Sequence, residues 1–325
     1  MTYPRDLRGY GANPPHPHWP GGATVALQIV LNFEAGGEHS VLHGDDRSEN
    51  FLLEEPAPPV AGGRSISAES QYEYETRAGF WRLYRLLTER ELPVTVYGVA
   101  QALARSPEAV AAMQEADWEI ASHGLRWIDY TQVSEEDERA AIGQAIDLHT
   151  KVTGARPTGW YTGRMSVNTR RLLVEAGGFS YDSDAFDDDL PYWTEVSGQP
   201  HLVIPYTLDN NDVRYLSGYG YGGQTFGQYL TGALDLLRAE GRTAPKMMSV
   251  GLHGRIAGKP GRAADFARFL DGLADRDDVW VTRRIGLAQH WRAQFPPPAD
   301  PPSSLPAANA GTAARSRAGR SLPPR

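Results

Sequence analysis

Glu34 stands just past an apolar run, Thr24 to Leu31, in the string Asn32-Phe33-Glu34-Ala35-Gly36. The pattern reads as a buried strand that delivers a carboxylate into a Gly-rich loop, where the strand is rigid and the loop is free to shape a pocket. Two other stretches follow the same plan. Ile120-Ala121-Ser122-His123 and Met247-Met248-Ser249-Val250-Gly251-Leu252-His253 each end an apolar segment on a histidine. A carboxylate and two imidazoles at three strand ends make a set suited to moving protons, as hydrolysis requires when water must be deprotonated. Partial burial is expected to lift the Glu34 pKa toward a useful range. The alternative is a loop acid beside Glu38, solvated or paired. Gly124 and Gly254 follow the two histidines and let the chain turn sharply. Either histidine alone reads as a hydrogen-bonded structural residue, and it is the repetition that favours function.

Other polar clusters are open to two readings. Asp182, Asp184, Asp187, Asp188 and Asp189 form an acidic run without the Gly-bearing spacing of an EF-hand, and Leu190-Pro191-Tyr192-Trp193 follows at once. Substrate orientation or a structured turn is favoured there over a cation site. Asp209-Asn210-Asn211-Asp212 suits a substrate rich in urea-type donors and acceptors, and an Asx-rich turn explains it equally well. His16 and His18, between prolines, read as part of an N-terminal loop.

The elements that must position these residues follow from the rest of the chain. With 325 residues and 41% hydrophobic content, the chain can bury a large core, and one barrel-sized domain is favoured over two small ones. The formal charge of −8 argues against nucleic acid or an anionic membrane as partner. Residues 294–325 hold four arginines and one acid, which leaves about −11 on the body. With no cysteine, disulfides, thiolate zinc sites and a Cys nucleophile are excluded. No apolar run approaches the ~18 residues that span a bilayer, and the N-terminus has no secretory apolar region, so a cytoplasmic protein is expected.

Residues 34–74 read as a long loop rich in Gly, Glu and Pro, of the kind that borders active sites. A helical pattern around Phe80, Trp81, Tyr84, Leu86 and Leu87 comes next. Strands are expected at 93–99, 118–122, 160–162, 179–182, 202–205 and 246–252, with helices at 107–115, 135–154, 166–176, 224–239, 262–274 and 283–291. Pro107 at a first turn and Ser134 before Glu135-Glu136-Asp137 mark two helix starts. This alternation predicts an α/β protein with a parallel sheet under helices. About seven units favour a (β/α) barrel with its functional residues at strand C-terminal ends. The catalytic domain is expected over 1–293. The Pro/Ala/Ser/Arg-rich segment 294–325 has a composition that cannot offset its ordering entropy and is expected to be disordered.

The strand-end motifs Asn32-Phe33-Glu34-Ala35-Gly36, Ser122-His123-Gly124-Leu125-Arg126-Trp127, Tyr181-Asp182-Ser183-Asp184 and Leu252-His253-Gly254 resemble, in order and spacing, those of the NodB-type polysaccharide deacetylase superfamily. Longer strings are similar to its metal-independent allantoinase branch: Val41 to Asp45, Glu69 to Tyr74, Ser122 to Tyr130, Gly159 to Arg164, Leu208 to Asp212 and Lys246 to His253. The resemblance covers about residues 3–293. Metal-using members carry two adjacent aspartates at the first motif and two histidines four residues apart at the second. Here those positions hold Glu34, Ala35, His123 and Trp127, so one of three ligands survives, and a catalytic zinc normally takes three. The third motif's arginine falls near Tyr161.

The resemblance therefore implies a distorted (β/α) barrel hydrolase of cyclic amides, with no cofactor and no metal, that opens allantoin to allantoate in purine catabolism. It implies Glu34 as base, His253 as acid and His123 as oxyanion donor. Trp127 and Tyr161 would wall the pocket, and Arg164, Asp182 and Asn210 or Asn211 would meet the ureido group. Relatives imply a homotetramer. The rivals are an amide deacetylase or deformylase and a catalytically inactive barrel used for binding.

Overall fold

The computed structural model describes residues 5–55, 58–216, 220 and 222–298. Its centre is β1 (Val25–Phe33), in which all nine residues are buried. A strand that carries Val, Leu, Ile and Phe on both faces must be covered on both, which is the environment of a central parallel strand. Around it run β2 (Val94–Gly98), β3 (Glu119–Ser122), β4 (Gly159–Trp160), β5 (Tyr181–Asp182), β6 (Tyr192–Val196), β7 (Gln199–Val203), β8 (Lys246–His253) and β9 (Val279–Val281). The sheet order is β6-β7-β5-β4-β3-β2-β1-β8, and all neighbours are parallel except the β6–β7 hairpin. β9 pairs with Val25–Leu27 of β1, while β2 takes Ile29–Phe33.

Helices cover the outside: α1 (Ile66–Tyr74), α2 (Phe80–Thr88), α3 (Ala100–Arg105), α4 (Pro107–Glu115), α5 (Glu135–Thr153), α6 (Thr169–Ala176), α7 (Phe226–Glu240), α8 (Pro260–Asp271) and α9 (Arg284–Gln294). Local chemistry sets several of their ends. Ser134 accepts from the Asp137 amide ahead of an acidic first turn, and Gly154 closes α5 at φ 78°. Thr225 and Gln228 form a capping box on α7. No helix among the described residues is long and apolar enough to cross a membrane.

The sheet curls into the expected distorted (β/α) barrel, and one seam is not closed by strand pairing. Between the end of β7 and β8 the contacts come from irregular chain: Gly251 N donates to Asn210 O at 2.8 Å and Met247 N to Asp189 O at 2.9 Å. Arg284, fully buried, reaches across inside the seam. It donates to Ile204 O (2.5 Å) and Pro205 O (2.9 Å) past β7, to Ser249 Oγ (2.8 Å) on β8, and to Ser183 Oγ (3.0 Å) past β5. A side chain here does part of the joining that a backbone ladder does elsewhere.

Several elements differ from the sequence expectation, which includes neither α3 nor β9. α1 begins at Ile66, inside the segment read as loop to Tyr74, because only Ala68 and Tyr72 of its nine residues are buried and no apolar stripe marks it. The β6–β7 hairpin turns on Ser197 (φ 51°) and Gly198 (φ 77°), a two-residue signal between strand formers that the acidic run before it obscured. The boundary expected at 293 falls inside α9, and Phe295 still packs on Trp291, ring centroids 4.4 Å apart. The remainder of the expected disordered segment, from 299 on, lies outside the described residues.

Replacing Arg284 by Met keeps its bulk but strands the Ile204 and Pro205 carbonyls. Stability should fall by about 3 kcal/mol, since buried unsatisfied acceptors cost ~1–3 kcal/mol each. Urea denaturation of the two proteins measures this, and a loss under ~1 kcal/mol would show that Arg284 does not hold the seam.

Candidate active site

Strand register brings the chemistry together. Phe33, Gly98, Ser122 and Trp160 are successive partners across β1, β2, β3 and β4. The next residue on three of those strands is Glu34, His123 or Tyr161, so these side chains leave the sheet at one level. On the other side of β1, Asn32 is paired with His253. A cavity of about 630 Å³ opens there, lined among others by Glu34, His123, His253, Trp127, Tyr161, Arg164 and Asn211.

Glu34 is 1% exposed and has three cationic or imidazole neighbours. Its Oε1 lies 3.4 Å from Nε2 of both His123 and His253, and its Oε2 accepts a 2.6 Å hydrogen bond from Arg255 Nη1. Burial by itself raises a carboxyl pKa, but Arg255, His253 and His123 outweigh it and hold Glu34 well below the ordinary range. The lifted Glu34 pKa expected from burial is thus corrected: the partners invisible in sequence reverse its sign.

His253 is turned by Asp212. The Asp212 carboxylate takes the imidazole Nδ1 at 2.7 Å and the His253 and Ala257 amides at 2.7 and 2.9 Å, leaving Nε2 facing Glu34. Burial lowers the His253 pKa, and the Glu34 and Asp212 charges more than reverse this, raising it to about 9. At neutral pH the ring is an imidazolium with its Nε2 proton toward the cavity. Glu34 and His253 are therefore a carboxylate and an acid that face each other in low dielectric, which is the pairing general acid–base catalysis needs.

The cavity wall is aromatic. Phe51 and Trp127 stack with centroids 6.0 Å apart, and the Arg164 guanidinium lies 5.2 Å from the first ring and 5.0 Å from the second. Tyr161 packs on His123 at 4.9 Å. Burial, foremost, pushes the Tyr161 phenol well above its usual value, so it stays a neutral donor. Asn32 Nδ2 donates to Tyr206 Oη at 3.1 Å beneath the cavity floor.

Two of the residues anticipated for substrate contact are placed elsewhere, and a third is tied to its own loop. Asp182 is fully buried between Arg170 (2.7 Å) and His201 (2.8 Å), which hold its carboxyl down, and it does not line the cavity. It braces the barrel wall. Asn210 lines a separate cavity of about 450 Å³ beside Asp187, Asp188 and Asp189 at the seam. Asn211 borders the main cavity, but its side chain accepts from Val213 N at 3.1 Å and donates to Thr207 O at 3.1 Å, as an Asx turn does. The residues that sequence reading missed are Arg255, Asp212 in its role toward His253, and Glu75. Arg255 had one signal, its place two residues past a candidate histidine. Glu75 had none, being one acid among several on a helical stretch.

Because the folded-state pKa of His253 lies above that of a free imidazole, the stabilisation from its protonation is complete below about pH 6.5 and is lost as pH rises toward 9. Asp212→Asn should lower that pKa and move the loss of melting temperature to lower pH. Superimposable Tm–pH curves for wild type and variant would contradict the assignment.

Comparison with known proteins agrees with this fold. The family model described as "Polysaccharide deacetylase" matches residues 69–178. A Schizosaccharomyces pombe protein described as "Putative polysaccharide deacetylase" is 37% identical over 317 residues, covering 91% of this chain and 99% of that one. Among solved structures, a "probable Polysaccharide deacetylase" of Pseudomonas aeruginosa PAO1 is 54% identical, with TM-score 0.88 over 90% of this chain and 99% of the other. A structure titled "Puue Allantoinase" is 52% identical, with TM-score 0.89 over 91% and 99%.

Proposed function

The chain belongs to the polysaccharide deacetylase family, and on that premise we propose that it hydrolyses the cyclic amide of allantoin to allantoate without a bound metal. The observation that carries the reading is the Glu34 carboxylate set between Arg255 and two imidazoles, with Ala35 and Trp127 where metal-using relatives place ligands. The likeness to a solved allantoinase at 52% identity over nearly the whole of both chains supports the substrate.

A zinc ion does not fit these residues. Ala35 and Trp127 have no lone pair to give, Glu34 is held by Arg255, and His253 carries a proton on the nitrogen that would bind. His123 Nδ1 has no hydrogen-bond partner among the described residues, whereas a metal-bound histidine is normally oriented through its second nitrogen. No step is therefore routed through a metal.

Without a Lewis acid the substrate must be more electrophilic than a sugar acetamide. The ring carbonyl of allantoin beside the ureido-bearing carbon meets that condition, because its nitrogen is acylated on the other side as well. Water attacks this carbonyl, forming the new C–O bond while Glu34 takes its proton. Charge that develops on the carbonyl oxygen is met by His123, a buried donor of a kind whose removal costs ~10²–10³-fold in rate. The C–N bond then breaks, the nitrogen takes the Nε2 proton of His253, and the new carboxylic acid ionises to allantoate. Trp127, Phe51 and Tyr161 present flat faces to a flat ring, and Arg164 is the cation at hand for the ureido carbonyl.

The same reading places the enzyme in purine catabolism as a cytoplasmic homotetramer, which sedimentation of the purified chain tests. A deacetylase acting on another small or sugar amide is the rival, and acetate release from N-acetyl sugars in place of allantoate release would establish it.

Treatment with a strong chelator should leave allantoate production unchanged, and elemental analysis should find no stoichiometric zinc. Loss of turnover on chelation, restored by zinc, would end the metal-free reading. In the second test, Glu34→Gln and His253→Asn should each lower kcat by roughly 100-fold with little change in KM, and the double variant should lose far less than the product, because both groups serve one transition state. A Glu34→Gln enzyme within threefold of wild type would place the base elsewhere, with Glu38 the nearest alternative.

A further inference from the structure

Between α1 and α2 the helix widens into a π turn, Glu75–Gly79. Such insertions are costly to a helix and recur at functional sites. This one aims a fully buried carboxylate at the end of β1. Glu75 Oε1 accepts from the Glu34 amide at 2.7 Å and from the Ala35 amide at 2.9 Å. The turn can come this close only because three glycines face each other. A Cβ on Gly79 would meet Gly254 O at 1.9 Å, one on Gly254 would meet Glu75 Cγ at 2.7 Å, and one on Gly258 would meet Gly254 O at 2.1 Å.

The other carboxylate oxygen has a different neighbour. Glu75 Oε2 makes no hydrogen bond among the described residues and stands 3.9 Å from Arg255 Nη1, the group that grips Glu34 at 2.6 Å. Arg255 Nε and Nη2 likewise have no acceptor among the described residues, and the guanidinium carbon lies 4.5 Å from the Tyr72 ring centroid and 5.6 Å from that of Trp127. The charged groups acting on Glu75 are thus Arg255, from the turn after β8, and Glu34, from β1.

We propose that Glu75 is a positioning residue for the base: it pins the backbone from which Glu34 projects and serves as second counter-ion to Arg255 while Glu34 holds a proton. When Glu34 takes a proton from water, its ion pair with Arg255 dissolves and a buried guanidinium beside Tyr72 and Trp127 is left without a counter-ion. An unpaired buried charge is strongly unfavourable, so with no second anion Glu34 would resist protonation and be a poor base. Glu75 supplies that anion on the same guanidinium. Burial, and then the charge of Glu34, push the Glu75 carboxyl up to about 7 against the pull of Arg255. Neutralising Glu34 removes one of the influences that disfavour a charged Glu75, so an already ionised Glu75 is held more favourably beside Arg255 while Glu34 carries the proton.

The inference rests on the hydrolytic role of Glu34 proposed above, and Glu75→Gln tests it. The amide oxygen can still accept from both backbone N–H groups, while the charge is gone. The variant should fold with a Tm within a few degrees of wild type, and kcat on allantoin should fall at least tenfold with KM within threefold. The wild-type kcat profile should carry an ionisation near pH 7, that of Glu75, below which kcat falls, and the variant should lack it. A kcat within threefold of wild type, or a fall in kcat with the ionisation near pH 7 retained, would overturn the proposal. If Glu75→Gln does not fold, Glu75→Asp takes its place. It keeps the charge but withdraws it from the amides and from Arg255, so unchanged kinetics would overturn the proposal equally. A wild-type protein that does not turn over allantoin ends the functional reading and not this one, which a substrate-free measurement then decides. A carboxyl raised in the folded state makes stability fall as pH rises from about 4.5 to 7. Wild type should show a steeper fall than Glu75→Gln, in which Asp184, also raised to about 7, still contributes, and identical curves would overturn the inference.

Discussion

A carboxylate with almost no solvent contact has to be compensated, and at Glu34 the largest part of the compensation is one arginine, Arg255, at 2.6 Å, with His253 and His123 adding to it. Much of the surrounding structure serves that pair. Tyr72 and Trp127 flank the guanidinium, and Gly79, Gly254 and Gly258 let the turn that carries Arg255 lie against the π turn that carries Glu75. Removing either partner would leave a buried charge unpaired, at a cost on the order of 3–5 kcal/mol. The pair also sets the chemistry. A carboxylate kept ionised by an arginine is always available to accept a proton, but it accepts weakly, so the proposed reaction also needs an acid opposite that is still protonated at neutral pH. In that proposal His253, raised to about 9 by Glu34 and Asp212, is the acid.

This balance differs from one built around a metal ion. A metal supplies positive charge at the carbonyl and lowers the pKa of bound water, and on the function proposed above neither service is on offer where Ala35 and Trp127 replace ligands. The positive charge of this site resides in two side chains, Arg255 on the base and His253 as the acid. Trp127 adds a second consequence. In place of a coordinating imidazole it brings a large apolar face that stacks on Phe51 and carries Arg164, which suits a flat uncharged ring better than an extended sugar chain.

The seam beside β8 shows the same economy of means in the scaffold. Where strands do not pair, Arg284 gathers the carbonyls past β7 and the hydroxyls of Ser183 and Ser249. Glu119 balances it electrostatically while accepting from Thr95, Tyr181 and the Ile285 amide. Buried polar networks of this kind are strong only when complete, and they tie β2, β3, β5 and β8 together, hence the relative positions of His123 and His253.

How much of this was legible in the chain depends on the range of the physics involved. The identities of Glu34, His123 and His253 as strand-end residues follow from local pattern, an apolar run that stops at a polar side chain followed by glycine. The ends of α4 and α5 and the β/α alternation are equally local, since capping chemistry and apolar periodicity are written in neighbouring residues. The departures at Ala35 and Trp127 are also visible in sequence, because a missing lone pair is a property of the residue itself. Convergence is not local. That Glu34, His123 and Tyr161 leave the sheet at one level is decided by register across strands, with His123 89 residues and Tyr161 127 residues after Glu34. The sign of the Glu34 pKa is not local either: burial predicts one direction and Arg255, 221 residues away in sequence, imposes the other. Asp182 was indistinguishable from a substrate ligand until Arg170 and His201 were found on it, and Glu75 was indistinguishable from a surface acid until a π turn with no composition signature aimed it inward. The sequence alone determined which groups are available for chemistry, because that depends on side-chain type. The tertiary structure decided which of them share a charge, because Coulombic coupling and desolvation depend on distances that only the folded chain has.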